Sequence, residues 1–152
     1  MRWQDGATLA AWVTYHGENY KADHTDLYDQ QDCEELCDQG RVIALFHDEE
    51  AVPCGFVLFP AGHNPAWCSA SALIEPGSLR RVLQSDILEE VAVKAFAVFG
   101  VEFFRADLYD YQIQAIALLE RFGFEPEAQI RKYTTKAGKD AALLYYVRSR
   151  EA

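Results

Sequence analysis

The side chains of this sequence best suited to metal binding or nucleophilic catalysis are four cysteines (Cys33, Cys37, Cys54, Cys68) and four histidines (His16, His24, His47, His63). Cys33 and Cys37 stand i, i+4 on an expected helix, but no histidine lies at a ligand-like offset from them. No metal site is expected. Four cysteines are too few to staple a chain of 152 residues, so free thiols and a cytoplasmic location are expected. No serine–histidine–aspartate or cysteine–histidine arrangement has supporting context, which disfavours covalent catalysis. Ser69 and Ser71 alternate on one face of an expected strand, where they either line a cleft or pack against a helix.

The net charge of −10 is unevenly spread. Residues 1–50 hold twelve acids against three bases (Arg2, Lys21, Arg41), a charge of −9, and residues 51–152 are nearly neutral. No general basic field exists, so no nucleic-acid partner is expected. The acidic third serves solubility or attracts cationic partners. Half the residues are apolar, which excludes a disordered chain. No apolar run approaches the ~18 residues that cross a bilayer, and no membrane partner is expected. Met1-Arg2-Trp3-Gln4-Asp5 does not read as a signal peptide, because the apolar run after it is broken by His16 and Glu18.

The elements that must position any site follow from periodicity. Leu9, Trp12, Val13 and Tyr20 predict a first helix near 7–20, and Leu27-Tyr28 through Leu36-Cys37 a second, acidic helix stopped at Gly40. Val42–Phe46 and Cys54–Phe59 predict an antiparallel hairpin, and Trp67–Ile74 a strand of small residues. Ile87, Leu88, Val91, Ala95, Val98 and Phe99 form a helical stripe ending at Gly100. Val101–Leu108 is the next strand, Gln112–Phe122 a helix stopped by Gly123, and Ala128–Thr135 with Ala141–Val147 a final hairpin. The order α-α-β-β-β-α-β-α-β-β defines a mixed α/β sheet flanked by helices. The helix between Ile74 and Val101 implies a crossover to a parallel neighbour. No linker or repeat interrupts it, so residues 1–152 read as one domain.

This order, with Ala115-Ile116-Ala117-Leu118-Leu119-Glu120-Arg121-Phe122-Gly123-Phe124, resembles the GNAT superfamily of acyl-CoA-dependent N-acetyltransferases. That family often carries Asn-x-x-Ala-Ile-x-Leu-Tyr-Glu-x-x-Gly-Phe, and Ala115, Ile116, Leu118, Glu120, Gly123 and Phe124 match in ungapped register. The resemblance covers residues 41–148, the sheet core. Residues 1–40 match by element order only, as an acidic helical segment on the acceptor side.

The resemblance implies acetyl-CoA or another acyl-CoA as co-substrate and an amine on a small molecule or peptide as acceptor. The wall that would face the acceptor is the −9 segment, so a cationic acceptor is expected. It also implies backbone contacts to the pantetheine arm from Leu73 and Ile74, and phosphate contacts from the loop after that strand, placed here at Arg80, Arg81, Val82, Leu83, Gln84 and Ser85. The family's Val-x-Pro is Ile74-Glu75-Pro76 in this sequence, but the Arg that follows is Leu79, and the glycine positions are Arg80, Val82 and Gln84. Without those glycines the segment either keeps a phosphate-binding bend, aided by Arg80 and Arg81, or runs as one helix from Ser78 to Phe99. The family tyrosine that protonates the leaving thiolate is Leu119, leaving Tyr109 or Tyr111 for that role. Glu75 is the candidate general base, and Gln112 stands at the family asparagine. The competing expectation is a catalytically degenerate domain of this fold serving as an interaction or assembly module, possible as a homodimer. A binder of acyl-CoA or acyl carrier without transfer is a third.

Overall fold

The structure, a computed structural model, describes residues 1–5, 30–134 and 140–150. The first expected helix, 7–20, and the Ala137-Gly138-Lys139 turn lie outside these residues. Eight strands and four helices are seen in the described residues: β1 (Arg2–Asp5), α1 (Gln30–Asp38), β2 (Val42–Phe46), β3 (Gly55–Leu58), β4 (Trp67–Ser69), β5 (Ser71–Ile74), α2 (Leu79–Gln84), α3 (Ile87–Phe99), β6 (Phe103–Tyr109), α4 (Ile113–Arg121), β7 (Glu125–Thr134) and β8 (Asp140–Ser149). They form two four-stranded sheets, ordered β1-β2-β3-β5 and β4-β6-β8-β7. The predicted hairpin is β2 against β3, and the predicted parallel neighbour is β4 beside β6.

Helices predicted to stop at glycine do so. Gly40, Gly100 and Gly123 all adopt positive φ, where a side chain would be strained. At Gly123 the motif is complete: Phe124 N–H donates to Leu119 O (2.9 Å) and Gly123 N–H to Glu120 O (3.2 Å). That closure turns the chain from α4 into β7.

Three features depart from the sequence expectations. β1 was not foreseen, since Arg2–Asp5 is mostly exposed and lacks apolar alternation; it is held as an edge strand by pairing with β2. The strand expected over Trp67–Ile74 breaks at Ala70. Its first part stays on β6 and its second on β3. The continuous helix from Ser78 to Phe99 is also corrected. A 3-10 turn at Pro76–Ser78 leads into α2, which ends at Ser85 in extended backbone (φ −99°, ψ 168°) before α3 begins. Ser85 causes the break locally: its hydroxyl donates to Val82 O (2.9 Å) and accepts from Ile87 N–H (3.4 Å), replacing helical bonds. Ser78 does not cap α2 with its side chain.

The core lies on both faces of the first sheet. Ile43, Leu45, Val57 and Ile74 pack toward α3, whereas Val42, Ala44, Phe56, Leu58 and Leu73 pack against Cys33 and Leu36 of α1. The α3 stripe is rotated from the expected one: Phe96 is buried and Val98 exposed. Ring stacking of Phe96 on Phe104 of β6, centroids 3.9 Å apart, fixes that rotation.

Candidate functional site

The break at Ala70 creates the site. Ser69 N–H donates to Pro60 O (2.8 Å), on the β3 side, and Ala70 N–H to Arg105 O (2.9 Å) of β6. Beyond this point β5 follows β3 and leaves β6, so the two sheets part. Among the described residues, no strand pairs with the far edge of β5. Antiparallel residues alternate between exchanging both backbone bonds and exchanging none. Glu75 N–H donates to Cys54 O (2.8 Å), so Leu73 and Ser71 also turn to β3. Ala72 turns its N–H and C=O the other way, into the gap.

That gap is roofed by helices. A cavity of about 80 Å³ is lined by Ala70, Ser71 and Ala72, by Leu88, Val91 and Ala92 of α3, by Leu118 and Leu119 of α4 and by Phe122 just after it, with Phe104 beneath. Its wall is apolar with one charged residue, Arg148. Small side chains at 70–72 leave the room, and the apolar stripes of α3 and α4 enclose it. Arg148 is 7% exposed. Its Nη1 donates to Glu89 Oε2 (2.7 Å) and Phe122 O (3.1 Å), and its Nη2 to Glu89 Oε1 (2.8 Å), so β8, α3 and the end of α4 meet in one polar knot. Hydrogen bonds from Arg148, with its charge, hold the Glu89 carboxyl below the usual range.

The expected site residues fall in three places, and none lines this cavity. Glu75 ends β5 in a second polar knot. Ser78 Oγ donates to Glu75 Oε2 (3.4 Å) and lies 2.7 Å from His47 Nε2. Burial raises the neighbouring Cys54 thiol. Tyr109 is fully buried with Ala141 and Leu143 and stacks on Tyr111 at 5.6 Å. Gln112 Oε1 accepts Tyr109 N–H (2.8 Å), spending its amide on the turn into α4. Leu73 and Ile74 are buried on opposite faces of β5. On α2, Arg80, Arg81 and Gln84 are exposed, Leu83 is half-buried, and Val82 anchors the helix in the core; Ser85 is half-buried just beyond. Ser71, singled out with Ser69 as a possible cleft residue, does line the cavity.

Sequence reasoning passed over Arg148 and Glu89. The available signal was strand parity: Arg148 shares the inward face of β8 with Tyr146, a position where a charge is out of pattern. The acids of α1 (Asp32, Glu34, Glu35, Asp38) are all exposed, on the side of β5 opposite the cavity. Cys33, Cys37, Cys54 and Cys68 are free thiols, and burial pushes that of Cys68 up to about 11. No helix among the described residues is long and apolar enough to cross a membrane.

No family model matches the sequence, and no curated protein matches it. Solved structures do match the fold. YncA of Salmonella typhimurium, solved with its cofactor acetyl-CoA, aligns with a TM-score of 0.80 at 15% identity, covering 98% of this chain and 93% of its own. A point variant of the spermidine N-acetyltransferase SpeG of Vibrio cholerae gives 0.79 at 10% identity, covering 98% and 95%. The ribosomal-protein-alanine N-acetyltransferase of Brucella melitensis gives 0.70 at 15% identity, covering 98% and 99%. The fold is that of the GNAT acetyltransferases.

Proposed function

We propose that the protein transfers an acetyl or other acyl group from coenzyme A to an amine. The observation that carries this reading is the parting of β5 from β6 at Ala70, which sets an open strand edge over an apolar cleft between α3 and α4. A pantetheine arm is an extended chain with two amides and a thioester. It matches such an edge as an added strand would, with Ala72 supplying backbone N–H and C=O. The 80 Å³ cavity holds a few small groups, so the rest of the arm lies along the open edge.

Transfer then needs no covalent enzyme intermediate. The amine lone pair attacks the thioester carbonyl, the C–S bond breaks, the thiolate takes a proton, and the new ammonium loses one. Glu75 is the proposed base, acting through water, and Tyr111, half-buried beside Tyr109, the proposed acid. Leu119 lines the cavity where the family tyrosine would stand, so the acid must come from elsewhere. Arg80 and Arg81, exposed on α2, are the proposed phosphate contacts. The exposed acids of α1 favour a cationic acceptor on the opposite face of β5. The proposed setting is one domain in the cytoplasm.

A second reading is favoured by α2, a helix in place of a glycine-rich loop: a domain of this fold that has lost cofactor binding and serves protein contacts, as in a homodimer. Thermal unfolding with acetyl-CoA, coenzyme A and longer acyl-CoAs separates the two. A ligand at 100 times its Kd adds roughly 2.7 kcal/mol. Stabilisation by acetyl-CoA supports the enzyme, and no shift at millimolar concentration with any of them sinks it.

A further inference from the structure

The hydroxyl of Ser78 is diverted from its ordinary use. Ser78 stands at the N-cap position of α2, where a serine oxygen commonly accepts a backbone N–H of the first turn, yet it forms no such cap. It donates instead to Glu75 Oε2 (3.4 Å) and accepts from His47 Nε2–H (2.7 Å). Ser78 is 3% exposed, so water does not compete for the hydroxyl. Glu75 is half-buried at the end of β5, and its backbone is fixed twice. Its N–H donates to Cys54 O (2.8 Å), and its C=O accepts Ser78 N–H (2.9 Å). Burial pushes the neighbouring Cys54 thiol up, so that group stays neutral and adds no competing charge. A glutamate that served only solubility would keep its rotamer freedom in water. Here the carboxylate is tied by a chain of two side chains, from the turn into α2 and from the end of β2.

We infer that Ser78 and His47 are positioning residues for the transfer: His47 fixes the Ser78 hydroxyl, and that hydroxyl fixes the Glu75 carboxylate in the rotamer from which it takes, through water, the proton the amine loses. This rests on the acyl-transfer reading above, with Glu75 as base, and adds to it what holds the base. The bond is made to Oε2, which leaves Oε1 to accept the proton. A neutral hydroxyl orients a carboxylate without matching its charge, whereas the Arg148 guanidinium matches that of Glu89. Tethering of the first kind suits a base, because the group is held and stays negative. Proton transfer depends steeply on placement, so loosening the tether acts on turnover rather than on binding.

The test is a double-mutant cycle on turnover, with acetyl-CoA and whichever of spermidine, a basic peptide and an uncharged primary amine is acetylated fastest. Glu75→Gln is expected to lower kcat about a hundredfold and Ser78→Ala about tenfold, with KM for the amine unchanged. In the Glu75→Gln background, Ser78→Ala is expected to cost no further turnover, because its effect passes through the missing carboxylate. His47→Leu is expected to match Ser78→Ala. His47→Gln, which keeps an N–H donor at that place, is expected to recover most of the loss. These two run the same cycle should Ser78→Ala fail to fold. Each variant is melted first and assayed below its transition, since a merely structural role lowers the melting point and multiplies the two kcat losses. Multiplied losses overturn the inference and leave acyl transfer, with Glu75 as base, in place. Full kcat in Glu75→Gln removes the base assignment and the inference together. A wild type that acetylates none of these amines removes the acyl-transfer reading, and the inference falls with it.

Discussion

Two polar knots, one at each end of the site, invite comparison. Both join a basic side chain to a carboxylate, and both leave one ring or guanidinium nitrogen buried without a partner among the described residues, His47 Nδ1 and Arg148 Nε. In the first, Ser78 Oγ donates to Glu75, so the His47 Nε2–H donates to Ser78. In the second, the orphan is a donor, and its residue lines the cleft. The first knot binds neutral and charged groups within one corner: the end of β2, the end of β5 and the turn into α2. The second ties β8 to both helices that roof the cavity. The difference teaches that the first stabilises the path of the chain into α2, whereas the second sets the spacing and polarity of the cleft.

Substitutions sharpen that contrast. Arg148→Met is expected to have the largest effect, about 2–3 kcal/mol by denaturant unfolding. Breaking a fully buried pair costs about 3–5 kcal/mol, and Glu89, 46% exposed, can turn to water. A loss below that of Ser78→Ala would reverse the ranking of the two knots. Ser78→Ala is expected to cost about 1–2 kcal/mol, since it leaves His47 Nε2 unpaired in a buried corner.

The knots also differ in pH response. The Glu89 carboxyl has a folded pKa below its ordinary value of 4.5, so the unfolded chain binds its proton more tightly. Its contribution is fully present above the unfolded pKa and is lost as pH falls through the folded one. The stability gap between wild type and Glu89→Gln should therefore be constant near neutrality and shrink below pH 4.5. A gap that widens on acidification contradicts the assignment. The smallest effect on folding is expected from neutralising the exposed α1 acids Asp32, Glu34, Glu35 and Asp38 together. Each substitution alone should change stability by about 0.5 kcal/mol or less, while the four together raise KM for a polyamine and flatten its dependence on salt.

The same contrast explains what the sequence disclosed. Helix stops at Gly40, Gly100 and Gly123 were legible because positive φ selects glycine locally. The β2–β3 hairpin and the parallel neighbour of β6 were legible from period and element order. The split at Ala70 was not, because it depends on which sheet claims each half of a strand, and Ser-Ala-Ser-Ala suits either. The end of α2 at Ser85 turns on one hydroxyl competing with helical bonds. Arg148 is a long-range feature. Its partners lie 59 and 26 residues away in sequence, and only strand parity hinted that it faces inward.

The central claim is that β5 offers its open edge to the arm of an acyl-CoA, and backbone amide shifts test it directly. On titration with acetyl-CoA the Ala72 N–H should move and gain protection from hydrogen exchange. The Leu73 N–H, already turned to Phe56 of β3, should keep its bond. Saturation without any change at Ala72, or no binding at all, would contradict the account.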